Sequence, residues 1–154
     1  MAAIDTTLHV ETAAESGEIV PYGVPITAYP TESGKVIVNS PGSGELKDGR
    51  EDRWKNLGYH LQERGLASLV TYNAPRPDFQ VQLEWEPYSY QGASWNKILI
   101  ESLCHTIDWS LENAVLLSGN ESPAIFLTGF SSGAHFSTAY RNHFGITPRE
   151  ERLG

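Results

Sequence analysis

Apolar residues alternate, cluster and then recur at helical spacing along this chain, and each change of period marks an element. Near the N-terminus, residues 8–10 and 18–29 read as short strands punctuated by Gly17, Gly23 and Gly34. The alternation at Val24, Ile26 and Ala28 predicts a hairpin with one face on the core and one in water. Pro21, Pro25 and Pro30 lack the N–H that an interior ladder needs, which predicts edge strands. Val36, Ile37 and Val38 centre a compact apolar run over 35–39 that stops at the breaker cluster Ser40, Pro41, Gly42, Ser43, Gly44. Trp54, Leu57 and Leu61 then share one face of a helix over 52–64, closed by Gly65. A second apolar run over 67–72 follows. Strand, helix and strand at these spacings make a βαβ unit, hence parallel strands joined by a right-handed crossover.

Residues 77–92 are irregular and aromatic, with Phe79, Trp85, Tyr88 and Tyr90, and read as a long loop with a strand-like piece at 81–85. From Ser94, placed to cap a helix, the period becomes 3.6. Trp95, Ile98, Leu99, Leu103, Ile107, Leu111 and Ala114 form one stripe, and the helix should run to about Leu117 and stop near Gly119. The apolar run 123–127 predicts a third parallel strand, buried and central in the sheet. A helix over 132–144 follows, ended by Gly145, and a last short one begins with Thr147 and Pro148.

The 154 residues suffice for one domain with a core of its own. The single cysteine, Cys104, excludes an internal disulfide, and no apolar run approaches the roughly 20 residues of a membrane span. The N-terminus has neither a basic start nor an apolar stretch, so the expected location is cytoplasmic. The net charge of −8 opposes binding to a phosphate backbone. It is uneven, however: residues 134–154 hold Arg141, Arg149 and Arg152 with His135 and His143 against Glu150 and Glu151, which leaves room for a local basic element on an acidic body.

The predicted strand 123–127 runs into Gly129-Phe130-Ser131-Ser132-Gly133, a G-x-S-x-G pattern between a strand and a helix. The flanking glycines let the backbone pass closely on either side of Ser131, so that its side chain can be held exposed on a tight turn. With the element order upstream, this pattern resembles the α/β-hydrolase family over about residues 18–134. The resemblance implies a partial α/β-hydrolase-like parallel sheet with antiparallel edge strands, lacking the later strands, and a short helical tail. It divides the chain into an N-terminal edge segment (1–17), a truncated hydrolase-like domain (18–134) and the tail (135–154). It implies Ser131 as nucleophile of an esterase-like serine hydrolase, with oxyanion donors from the backbone N–H of Ser132 and from the Gly42–Ser43 loop. The family places its acid and histidine after later strands, and the chain continues only to Gly154. His135, one helical turn past Ser131, is expected to point along the helix rather than back at the serine. The expectation is a domain incomplete or inactive as an isolated chain, whose uncovered sheet edge favours self-association.

The same residues carry a second resemblance. From Gly129 through Phe136, Tyr140, Arg141, Phe144, Gly145, Thr147 and Pro148 to Arg152, the chain resembles the second helix-turn-helix of AraC-type transcription regulators. That resemblance implies a DNA-facing helix bearing Ser132, His135 and Arg141, and a fragment of a DNA-binding regulator as the alternative function. A recognition helix needs a bracing helix before it, and Pro123 with the apolar run behind it reads as strand. A non-catalytic α/β scaffold is the third class. The five histidines share no metal-ligand spacing, so no metal and no cofactor are expected. An ester-like small molecule is the expected substrate if the site is active, with nucleic acid a partner only in the regulator reading. The four tryptophans read as core or loop anchors.

Overall fold

The computed structural model describes residues 2–14, 16–42, 45–73 and 95–130. They form one five-stranded sheet, in the order β1-β2-β4-β3-β5. The strands are β1 (Ile4–Ala13), β2 (Ile19–Tyr29), β3 (Lys35–Ser40), β4 (Ser68–Tyr72) and β5 (Ala124–Gly129). A 3-10 turn at Arg50–Asp52 leads into α1 (Arg53–Glu63), and α2 (Trp95–Glu112) and α3 (Ala114–Ser118) precede β5. β3 pairs in parallel with both β4 and β5, while β1 with β2 and β2 with β4 are antiparallel. This is the expected α/β architecture, a parallel centre with an antiparallel start.

The two crossovers dictate the layers. From β3 the chain passes through α1 to β4 on one side; from β4 it passes through α2 to β5 on the other side of β3. Two right-handed crossovers running in opposite directions must place their helices on opposite faces. The side chains agree. Ala28 belongs to the cluster that α2 contributes to, with Ile98, Leu103 and Ile107, while its neighbour Tyr29 points the other way onto Gly58 of α1.

On the α2 face, Tyr22, Val24, Ile26, Val36, Val38, Val70 and Ile125 pack beneath Ile98, Leu99, Leu103 and Ile107. Ile98, Leu99, Leu103 and Ile107 of the helical stripe read from the sequence thus form the buried face. α2 also turns Ser102, Thr106 and Ser110 inward, all fully buried. Each hydroxyl donates to the carbonyl four residues back, at 2.7, 2.8 and 2.8 Å, so no hydroxyl is stranded in the core.

Several expectations change. The strand expected at 8–10 extends over ten residues, because its whole length finds β2 in unbroken register from Ile4↔Ala28 to Ala13↔Ile19. β2 is not an edge strand and lacks the wet face expected near its end: Thr27 and Tyr29 are 3% and 1% exposed, Tyr29 beneath Gly58 and Tyr59 of α1 and Thr27 bonded to Asp5 and Lys47. Pro25 is tolerated because it lies just past the last β2–β4 pair, Ile26↔Tyr72, with its carbonyl accepting from the Asn73 N–H. The face of α1 differs too. Leu57 is exposed and Gly58 is the buried position, since only a residue without a side chain lets the helix approach the Tyr29 ring. The helix expected to run unbroken to Leu117 breaks at Asn113, whose side-chain amide donates to the Trp109 carbonyl at 2.9 Å, in competition with the backbone ladder. The strand expected at 123–127 forms, but it lies at the end of the sheet order beside β3 rather than in the centre, and Phe126 is 46% exposed. The loop 77–92 and the helices expected beyond residue 131 lie outside the described residues. No described helix is long and apolar enough to cross a membrane.

Two outcomes follow from this packing. Gly58→Ala drives a methyl group into the buried Tyr29 ring, and the strain outweighs the gain in helix propensity; a loss of about 2 kcal/mol is expected in urea unfolding. Burial pushes the phenols of Tyr22, Tyr29 and Tyr72 well above their ordinary value; Glu101 adds to the effect at Tyr22 and Asp48 at Tyr29, while the Ser40 hydrogen bond opposes it at Tyr72. A raised folded pKa means that the stability contributed is complete below the unfolded value of about 10 and is lost as pH rises through the folded values. Ultraviolet titration should therefore show some of the seven tyrosines ionising only as the protein unfolds in alkali.

Candidate functional site at the carboxyl ends of β3 and β5

β3 leaves toward α1 on one face, and its neighbour β4 leaves toward α2 on the other. The carboxyl end of β3 is therefore a topological switch point, where open α/β sheets form their binding crevice. Side chains tie this rim together on both faces. The Ser40 hydroxyl bonds the Tyr72 hydroxyl at 2.8 Å, joining β3 to β4 in the core. On the opposite face Thr128 Oγ1 donates to Asn39 Oδ1 at 3.1 Å, joining β5 to β3. The ladder continues one step past the strands, with the Phe130 N–H donating to the Ser40 carbonyl at 3.2 Å.

The breaker cluster after β3 turns directly over this point. A Cβ built on Gly42 would lie 3.6 Å from the Phe130 ring and 3.7 Å from its carbonyl oxygen, so the Gly42 backbone sits against the residue that precedes Ser131. Gly42 is the site candidate that the described residues contain. Ser43, Ser131, Ser132, His135 and Arg141 lie outside them.

Four residues hold the loop in place. Glu45 accepts hydrogen bonds from Trp54 Nε1 and from Arg53 Nη2. The Arg53 guanidinium in turn lies over the Phe130 ring at 3.9 Å and over the Trp54 ring at 4.8 Å, with the two rings edge to face at 6.2 Å. Such a stacked cation contributes about 0.5–2 kcal/mol. The chain reaches this arrangement through a tight entry to α1. Gly49, Glu51 and Asp52 have φ of 80°, 57° and 58°, and the Asp48 carbonyl accepts from the N–H groups of Trp54 and Lys55 in place of a side-chain cap. Two non-glycine residues in the left-handed region cost of order 1 kcal/mol each, which the contacts of the loop offset.

Lys47 ties the far end of the loop to the sheet. Its Nζ donates to Thr27 Oγ1 at 2.6 Å and to Asp5 Oδ1 at 3.1 Å, and its backbone N–H donates to Asn73 Oδ1 at 2.7 Å. The Thr27 hydroxyl and then Lys47 hold the Asp5 carboxyl below the usual carboxylate range. Neither anchor shows in the hydrophobic pattern. The one clue in the sequence was an acid inside a breaker loop, eight and nine residues before an Arg-Trp pair; Trp54 does serve as the loop anchor expected of a tryptophan. Among the described residues no group of three His, Cys, Asp or Glu side chains could hold a metal ion.

Two solved structures resemble this chain in fold. One is an alpha/beta hydrolase, GrgF, from Penicillium sp. sh18, 20% identical with a TM-score of 0.52, matched over 87% of this chain and 40% of its own. The other is homoserine O-acetyltransferase from Staphylococcus aureus, 15% identical with a TM-score of 0.51, matched over 92% of this chain and 43% of its own. At these identities the likeness is one of fold: the chain has a partial α/β-hydrolase-like fold and spans less than half the length of either structure. A stretch of 24 residues is 79% identical to the HTH-type transcriptional regulator ArgR of Pseudomonas aeruginosa, 16% of this chain and 7% of that protein. No protein-family model matches the chain.

The loop clamp is open to a direct measurement. Glu45→Ala leaves Trp54 Nε1 and the guanidinium without their acceptor and should lower the unfolding free energy by about 1–3 kcal/mol. Glu45→Gln, which keeps an oxygen for the indole, should lose less in the same urea titration.

Proposed function

We propose that the chain carries the nucleophile and oxyanion portion of an esterase-like serine hydrolase site. In this reading Ser131 is the attacking residue, two residues along the chain from the end of β5. The N–H groups of Ser132 and of the Gly42–Ser43 loop would hold the negative oxygen of a tetrahedral intermediate, where such donors contribute most to acyl transfer. The observation that carries it is the contact of Gly42 with Phe130, which brings the loop after β3 against the residue before Ser131. The names of the two solved structures, a hydrolase and an acetyltransferase, agree with acyl chemistry. The acid and histidine that would activate Ser131 have no assigned counterpart in residues 1–154, so this reading gives the isolated chain little turnover.

A DNA-binding regulator fragment is the second reading, and the 24-residue likeness to a transcriptional regulator favours it. The segment from Gly129 to Arg152 has that length, and in it Ser132, His135 and Arg141 would face DNA. The segment just upstream favours the hydrolase reading instead, since residues 124–129 are a strand paired with β3, where a bracing helix would be required.

Nitrophenyl acetate separates the two. The expected result is slow acetylation located on Ser131 by peptide mapping, absent in Ser131→Ala, with feeble turnover that His135→Ala leaves unchanged. Acetyl groups scattered over lysines, with none on Ser131, would overturn the hydrolase reading. A salt-dependent gel shift abolished by Arg141→Ala would replace it with the regulator.

A further inference from the structure

The other end of the sheet carries a surface unconnected with the serine site. β1 runs ten residues in unbroken register with β2, and it contains no proline, no lysine and no bulge, the devices that ordinarily blunt an exposed strand edge. Its outward groups can be assigned. The Ala14 N–H bonds the Glu18 carbonyl across the hairpin, and the Ala13 carbonyl accepts from Lys97 Nζ at 2.9 Å on the far side. With the two-residue repeat of a strand, the main-chain groups of Thr7, His9 and Glu11 face away from β2.

Beside this edge, between β1 and α2, lies a cleft of about 320 Å³. Leu8 and Val10 of β1 and Trp109 of α2 give it an apolar floor, and all three also pack against the core. His105, Asp108 and Glu112 line its α2 side, and Glu11 is exposed on the strand itself.

We propose that the β1 edge and this cleft dock an extended peptide segment rich in lysine or arginine, which adds as a sixth strand. The main chain of Thr7, His9 and Glu11 would supply the ladder. Every second side chain of the added strand would lie over the cleft. A lysine or arginine there rests its methylenes on Leu8, Val10 and Trp109 and reaches the carboxylates at the α2 rim with its charged head. Charge argues against a second copy of this chain. The protein carries a net charge of −8, and an antiparallel pairing of two β1 strands centred on Leu8 would set Asp5 of one copy against Glu11 of the other.

The test is a fluorescence-anisotropy titration of the full chain with two labelled seven-residue peptides, one of alternating lysine and valine and one of alternating glutamate and valine. The lysine peptide should bind and weaken at least about tenfold between 50 mM and 500 mM salt, as screening predicts, and the glutamate peptide should not bind. Thr7→Pro removes an outward N–H without touching the β2 ladder, and Glu112→Lys reverses a rim charge. Each should cost the lysine peptide about tenfold or more in affinity, with circular dichroism confirming that both variants are folded. The proposal is overturned if neither peptide binds, if both bind alike, or if folded Glu112→Lys keeps full affinity. A dimer in sedimentation that Thr7→Pro dissolves would give the edge to a second copy and overturn it equally.

Discussion

Everything else in this fold hangs on β3 being paired in parallel on both flanks. A six-residue strand with parallel neighbours on each side is covered on both faces, which is why it reads as a continuous apolar run and why Val36, Val38, Asn39 and Ser40 are all buried. Parallel neighbours cannot be reached by hairpins. The chain must leave the sheet, cross through a helix and return, once to each flank. The fixed hand of those crossings puts α1 and α2 on opposite faces and leaves the carboxyl end of β3 as the one place where the two layers part.

That opening sets polar demands on residues that are otherwise core. Thr27, Thr71, Asn39 and Thr128 stand in register on four adjacent strands, next to Asp5 on the fifth, and make a polar row across an apolar sheet. At the two ends the row is satisfied, by Lys47 and Asp5 on one side and by the Asn39–Thr128 bond on the other. In the middle, Thr71 Oγ1 and Asn39 Nδ2 are buried without a hydrogen-bond partner among the described residues, as is Arg53 Nε above them. A buried polar atom without a partner costs about 1–3 kcal/mol. Three of the four such side-chain atoms among the described residues lie here, beneath the loop after β3; the fourth, Thr12 Oγ1, is on β1.

The two chemistries suggested by the turn at Gly129 differ in what they require upstream of it. A recognition helix requires a helix behind it, and a nucleophile turn requires a strand. Pro123 and the β-branched and aromatic residues that follow gave strand on propensity alone, and β5 is a strand because β3 offers it a parallel partner at Ile37↔Phe126 and Val38↔Leu127. The clamp of Glu45, Arg53 and Trp54 on Phe130 then joins that turn to the loop after β3, so the geometry of the candidate site rests on contacts between segments about 80 residues apart in the chain.

Local period decided the elements, and it did so because helix and strand repeat within a few residues. The stripe from Ile98 to Ile107, the run at Val36 to Val38 and the breakers at Pro41 and Gly42 all carried their meaning in their own neighbourhood. The turn of the chain at Gly42, two residues past a buried strand, was legible for the same reason, while its role as an oxyanion donor came only from the resemblance. What the pattern misjudged depended on distant partners. Leu57 belongs to an apolar helical stripe yet is exposed, and Gly58, with no side chain to register, is the contact of α1 because Tyr29 fills the space in front of it. The ends of β1 and β2 were set by their mutual register, and the prolines of β2 by where β4 stops. Glu45, Lys47 and Asp5 look like ordinary surface charges in the sequence. Only the folded chain, by turning through the left-handed residues Glu51 and Asp52 and by setting β1 beside β2, brings each of them to the partner that gives it a role.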